Sequence, residues 1–209
     1  HNSIYGEKIV HGVYILLKFL KIKNFDYKNM CKLSINFTGH ASYDKKIFYK
    51  IKKNKTSESI AIFHDKFRGI CEIKIYYNQK NSLLKVPSTL KINKTFKTKN
   101  KKIKNIDQRI VTATSYLSNY VGEIYPGKNS IIRSLEIFIF KKNMYQKNVI
   151  CKSKILKKGY PLILNYLTFK NIFVKFVSIR RPKLNIVLKK PTQLIINKIK
   201  KIKNDVLII

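Results

Sequence analysis

Acidic residues are scarce in this chain: ten Asp and Glu stand against 45 Lys and Arg, for a formal net charge of +35 over 209 residues. Cysteine is scarcer still. Cys31, Cys71 and Cys151 are odd in number and share no Cys-x-x-Cys spacing, which argues against a disulfide framework or a zinc site. They read as buried strand residues in a reducing compartment, so a cytoplasmic location is expected. The four histidines (His1, His11, His40, His64) are scattered, and no metal site is expected from them. There is no run of about 18 uncharged apolar residues, so no membrane span is expected. The most apolar early stretch, Val13–Leu20, is short and broken by Lys18. An initiator Met and a signal peptide are also missing, and the opening at His1 reads as processing or an incomplete chain. Apolar residues are not lacking: at 44% hydrophobic the chain can bury a real core and is no disordered basic tail.

The positive charge invites a nucleic-acid reading, but its make-up weakens it. Only five of the basic residues are arginines (Arg68, Arg109, Arg133, Arg180, Arg181), and alanine is nearly absent (Ala41, Ala61, Ala113). Abundant Lys, Ile and Asn with little Ala is the bias of A+T-rich codons, which inflates lysine whatever the function. Arginine is the usual bidentate, stacking partner of RNA. A solvated lysine surface is therefore the leading reading, and nucleic acid the weaker one. A positive rim that captures a phosphate-bearing thioester carrier lies between them.

Two similar blocks follow one another, each a helix and then four strand-like runs. In the first, Gly12–Lys23 is apolar nearly all round, which predicts an enclosed helix. Leu33, Ile35 and Phe37 then share one face of a strand, as do Ile47, Tyr49 and Ile51. Ile60–Phe63 is the third run, and Cys71, Ile73, Ile75 and Tyr77 alternate in the fourth. A polar, lysine-dense linker with Pro87 comes next, with a short strand around Leu83–Val86. Asp107 is placed to cap a second helix, Ile110–Val121. Four more strands are read at Ser130–Lys141, Asn148–Leu156, Leu162–Phe169 and Ile172–Arg180. The boundaries are a first unit at 1–80, a linker at 81–106, a second unit at 107–190 and a basic tail at 191–209. A helix followed by an antiparallel sheet, occurring twice, is α+β architecture. On pattern alone a β-barrel and a ribosomal-type α+β fold stay open.

Three motifs carry a resemblance. Ser3-Ile4-Tyr5-Gly6-Glu7-Lys8-Ile9-Val10-His11-Gly12 is similar to the stretch of MaoC-like acyl dehydratases and hydratases in which an aromatic-Gly loop runs into Ile-Val-His-Gly. The segment from Val121 to Ile131, with Pro126-Gly127 and Ser130-Ile131, resembles a second motif of two-repeat members. Phe176-Val177-Ser178-Ile179-Arg180-Arg181-Pro182 looks like their final strand. The resemblance implies a double hotdog, two antiparallel sheets each wrapped around a central helix. It further implies hydration of an enoyl thioester, or dehydration of the 3-hydroxyacyl form, on coenzyme A or a carrier protein. No cofactor is implied, and a homodimer is compatible with it.

That chemistry needs a carboxylate and an imidazole around one water, plus a donor for the enolate oxygen. In the family the pair comes from an Asp-x-Asn-Pro-x-His loop upstream of the helix, which these residues do not include. His1 is too close to His11 to replace it. By resemblance, Gly12 presents its backbone N–H to the thioester oxygen, a position that the free N–H groups and dipole of a helix start also favour. The bland alternative is a tight entry into a buried helix. His11 lines the site or packs against the sheet, and Tyr5, Gly6 and Tyr14 are expected to line the acyl pocket. Neither helix carries an internal carboxylate, which argues against thioester hydrolysis using a helix acid. An RNA-binding protein and a non-catalytic hotdog protein are the alternatives.

Overall fold

A computed structural model describes residues 9–10, 12–23, 25–42, 45–64, 69–78, 84, 92–95, 103–127, 130–156 and 162–180. Helix α1 (Gly12–Ile22) buries Val13, Ile15, Leu16, Phe19 and Leu20 on one face. The expected all-round enclosure is not found: Tyr14 and Ile22 are exposed on the other face, which Lys18 and Lys21 keep in water. Helix α2 (Gln108–Asn119) starts as expected. The Asp107 carboxylate accepts from the Arg109 backbone N–H at 2.7 Å, satisfying one of the donors that a helix start leaves free. Ile110, Val111, Ala113, Thr114 and Leu117 form its buried face.

The strands are β1 (Ile9–Val10), β2 (Met30–Phe37), β3 (Ala41–Ser42), β4 (Phe48–Lys53), β5 (Ser57–Phe63) and β6 (Gly69–Tyr77). They continue with β7 (Ile92–Thr95), β8 (Ser130–Ile139), β9 (Ile150–Ile155), β10 (Leu162–Phe169) and β11 (Ile172–Arg180). Strands β10 and β11 keep the boundaries expected from alternation. A linker strand lies at Ile92–Thr95; the one expected around Leu83–Val86 falls, but for Leu84, outside the described residues.

Two antiparallel sheets, one per unit, lying side by side as a continuous sheet were expected, and the described strands form one such sheet. Nine strands run β4-β5-β6-β2-β8-β11-β10-β9-β7, and β1 pairs with β3 apart from them. Every pairing is antiparallel. The seam is β2 against β8, from Lys32↔Phe138 to Asn36↔Ser134. One core, reaching from Leu16 and Leu20 through Leu33, Ile73 and Ile137 to Ile110 and Val174, lies between this sheet and the helices. Burying each such side chain contributes roughly 1.5–3 kcal/mol before the entropy cost of ordering.

Candidate functional site

Of the residues singled out from sequence, Tyr5, Gly6 and His11 lie outside the described residues. Gly12 opens α1. A Cβ built there falls 2.6 Å from Cε1 of Phe37, so the helix start sits on that ring and packing alone selects glycine. Tyr14 faces solvent, 57% exposed, with the Lys18 ammonium 5.9 Å from its ring centre. His64 is buried and fully occupied: its Nε2 accepts from the Ser42 N–H at 2.9 Å, and Nδ1 faces the Lys46 carbonyl at 3.3 Å. Asp107 is occupied too. Its carboxylate holds the Arg109 guanidinium, which also donates to the Tyr27 carbonyl at 3.1 Å.

The polar centre of the described fold is in the second half, where sequence reading did not place it. After Asn119 the helix widens into a π-turn, Tyr120–Ile124, closed by Tyr125 N–H donating to the Tyr120 carbonyl. This turn buries both Tyr120 and Val121 against the sheet. Gly127 then takes φ +102°, a conformation open to glycine, and leads into β8.

Beneath the turn, register brings three short polar side chains together. Ser153 on β9 pairs with Asn165 on β10, and Asn165 with Phe176 on β11, two residues before Ser178. All face the helices, where Ile163, Leu167, Val174 and Phe176 are buried. The Ser153 hydroxyl donates to Asn165 Oδ1 at 2.6 Å, which spends its only proton. The Tyr120 hydroxyl, 2.6 Å from Ser153 Oγ, is therefore the donor of that pair. Asn165 Nδ2 donates to the Ile163 carbonyl at 3.0 Å and to Ser178 Oγ at 2.9 Å. Burial pushes the Tyr120 phenol up to about 12, against a smaller opposing effect of its bond to Ser153. Tyr120 is thus a fixed donor and not a base.

Ser178 ends this chain as an acceptor, and among the described residues no hydrogen bond spends its own proton. Beside it, a bulge at Arg133 shifts β8 between the pairs Ser134↔Val177 and Ile132↔Ser178, and such an extra residue reverses which side chains face in. Ile132 and Ser130 therefore point toward the helices while Ile131 is exposed. Ser130 Oγ is buried and has no hydrogen-bond partner among the described residues. A buried orphan hydroxyl costs about 1–3 kcal/mol, and Ser130 shares its face with Ser178, across the ladder and two residues along. The signal was present in sequence: Ser153, Asn165 and Ser178 are short polar residues at core-facing positions of three otherwise apolar strands.

No family model and no curated protein matches the chain. Solved structures do. A tesB protein of Mycobacterium avium subspecies paratuberculosis superposes with a TM-score of 0.52 at 9% identity, covering 83% of this chain and 88% of that one. An acyl-CoA thioesterase II, TesB2, of Mycobacterium marinum gives 0.49 at 7% identity, with 84% and 96% covered. A protein of Alicyclobacillus acidocaldarius described as having a hot dog fold gives 0.43 at 6% identity, with 79% and 84% covered. The expectation of a hydratase or dehydratase is corrected by the first of these, a tesB protein. The polar centre among the described residues is built of three hydroxyls and an amide. The likeness shows the architecture and no more: the chain has the hotdog fold.

Proposed function

We propose that the chain consists of two fused hotdog units and hydrolyses an acyl thioester of coenzyme A or an acyl carrier protein. The observation that carries this is the pair of serine hydroxyls set in an apolar interior: Ser178, whose proton no hydrogen bond among the described residues spends, and the orphan Ser130. They suit a thioester carbonyl oxygen with the acyl chain lying along the core. Water attacks the carbonyl carbon, a C–O bond forms as the C–S bond breaks, and the thiolate leaves with the proton that water gives up. The hydroxyls stabilise the developing oxyanion, the kind of interaction that usually contributes most in acyl transfer. The names of the neighbouring structures, acyl-CoA thioesterase among them, support the substrate class. Gly12 keeps a subsidiary place in this reading as a backbone donor at the start of α1.

A second reading, binding of an acyl thioester without turnover, is favoured by the protonated state of Tyr120 and the absence of an acid or base among the four groups of the chain it begins. Thiol release from short-, medium- and long-chain acyl-CoA and from acyl carrier protein decides between them. Hydrolysis predicts release above background, reduced about 100-fold in Ser178→Ala with folding intact. Acyl-CoA binding with no release at any chain length gives the second reading instead. Neither binding nor release rejects both.

A further inference from the structure

The sheet has a second face, turned away from the helices, whose composition follows from register. Because antiparallel partners share a face, Phe48, Lys50 and Lys52 of β4 lie there with Phe63 and Ser59 of β5. Lys74 and Tyr76 of β6, Lys32 and Ser34 of β2, and Glu136 and Phe138 of β8 continue it. Phe173 and Lys175 of β11, Tyr166 of β10, and Lys152 and Lys154 of β9 complete it.

Rings and ammonium groups alternate across this surface. Phe48 and Phe63 stack with centres 6.1 Å apart. Lys32 Nζ sits 5.5 Å from the ring centre of Tyr76 and 4.7 Å from that of Phe138, which itself packs edge-on against Phe173 at 5.8 Å. Between them runs a groove of about 360 Å³ lined by Ser34, Asn36, Lys74, Ser134, Glu136 and Lys175. The acidic groups of this groove are already neutralised, Glu136 by Lys32 and Lys175, Glu72 by Lys74. Lys50, Lys52 and Lys154 are exposed beyond them.

We propose that this outer face binds single-stranded RNA. Seven lysines against two paired glutamates give the face the sign opposite to that of a phosphate backbone. Codon bias accounts for the lysines but not for their interleaving with aromatic rings, the arrangement that lets unstacked bases stack while their phosphates are neutralised. A duplex hides its base faces; a single strand offers them. Ser34, Asn36 and Ser134 put hydroxyl and amide groups along the groove, the chemistry that pairs with a ribose 2′-hydroxyl. The face lies across the sheet from Tyr120, Ser153, Asn165 and Ser178, so this inference stands independently of thioester hydrolysis.

The test is fluorescence anisotropy of the full chain with a labelled oligouridylate of about 20 nucleotides. Two variants of equal charge are compared: Lys50→Gln/Lys74→Gln/Lys175→Gln on the face, and Lys18→Gln/Lys21→Gln/Lys104→Gln on the helix side. The face variant is expected to weaken binding at least about tenfold and to lower the slope of log K against log salt by about 2, the figure for three phosphate contacts on a single strand. The helix-side variant should change affinity by less than about threefold. Tyr76→Ala, which leaves the charge unchanged, should weaken binding about tenfold through lost stacking. Equal losses in the two lysine variants overturn the proposal, because charge anywhere would then suffice. So does equal affinity for oligothymidylate, or preferential binding of an acidic carrier protein or of anionic vesicles at the same salt.

Discussion

Replacing Asn165 tests the polar centre most directly, because its amide is the only group that both accepts from Ser153 and donates to Ser178. Asn165→Leu keeps the volume and removes both functions. The Ser153 proton and the Ser178 oxygen then lose their partner in a site where Asn165 is 0% exposed. Two orphaned groups cost about 2–6 kcal/mol, and the buried leucine offsets about 1.5–3, so a net loss of about 2 kcal/mol is expected. Asn165→Asp is sharper. Protonated aspartic acid can still accept from Ser153 and donate from its hydroxyl, so at low pH the variant should nearly match the parent. Burial raises the native pKa of the new carboxyl above its unfolded value of about 3.9. The native state then holds the proton that the unfolded state releases, and stability falls as pH rises. From about pH 4 to about pH 6 the variant should lose about 1.4 kcal/mol per unit relative to the parent, about 3 kcal/mol in all. For a chain of this size that lowers Tm by about 6–12 °C. Thermal melts followed by circular dichroism in matched buffers measure it. A Tm difference that stays flat over this range, or an Asn165→Leu variant as stable as the parent, would refute the assigned hydrogen bonds.

Two further expectations concern packing. Gly12→Ala should cost about 1–3 kcal/mol by denaturant titration, because its methyl meets the Phe37 ring, and Phe37→Leu in the same chain should restore part of it; an equally stable Gly12→Ala would show that the ring yields freely. Burial pushes the Cys71 thiol up to about 12 and raises that of Cys151 as well, so both should resist an aromatic disulfide reagent in the native state and react at once in guanidinium. Rapid labelling of either native thiol contradicts this.

The strands were legible because their signal is local. Cys71, Ile73, Ile75 and Tyr77 alternate in sequence as they do in burial, and Leu162–Phe169 and Ile172–Arg180 keep their expected ends. Asp107 was legible for the same reason, since a cap depends on the residues just after it. What escaped notice depends on distant pairing. A continuous sheet was expected of two units side by side, but its seam, β2 against β8, joins residues about a hundred positions apart, and nothing in either strand announces its neighbour. Helix α1 misled because apolar composition limits what a helix can bury, not what covers it, and here Tyr14 and Ile22 face water. The site was sought in histidines and helix starts, whereas Ser130 turns inward only because Arg133 is one residue too many for the β11 ladder.

That seam has a consequence for the chain's company in solution. An antiparallel sheet ends in two rows of unpaired backbone groups, and two separate halves would own four. Fusing them across β2 and β8 leaves two among the described residues, at β4 and β7. Strand β4, reading Phe-Tyr-Lys-Ile-Lys-Lys, carries three lysines along its bare rim, where a second copy adding itself strand to strand would set lysine against lysine. The surplus of positive charge that first looked like a bias of composition therefore guards one of the two borders from which a sheet this broad could keep growing.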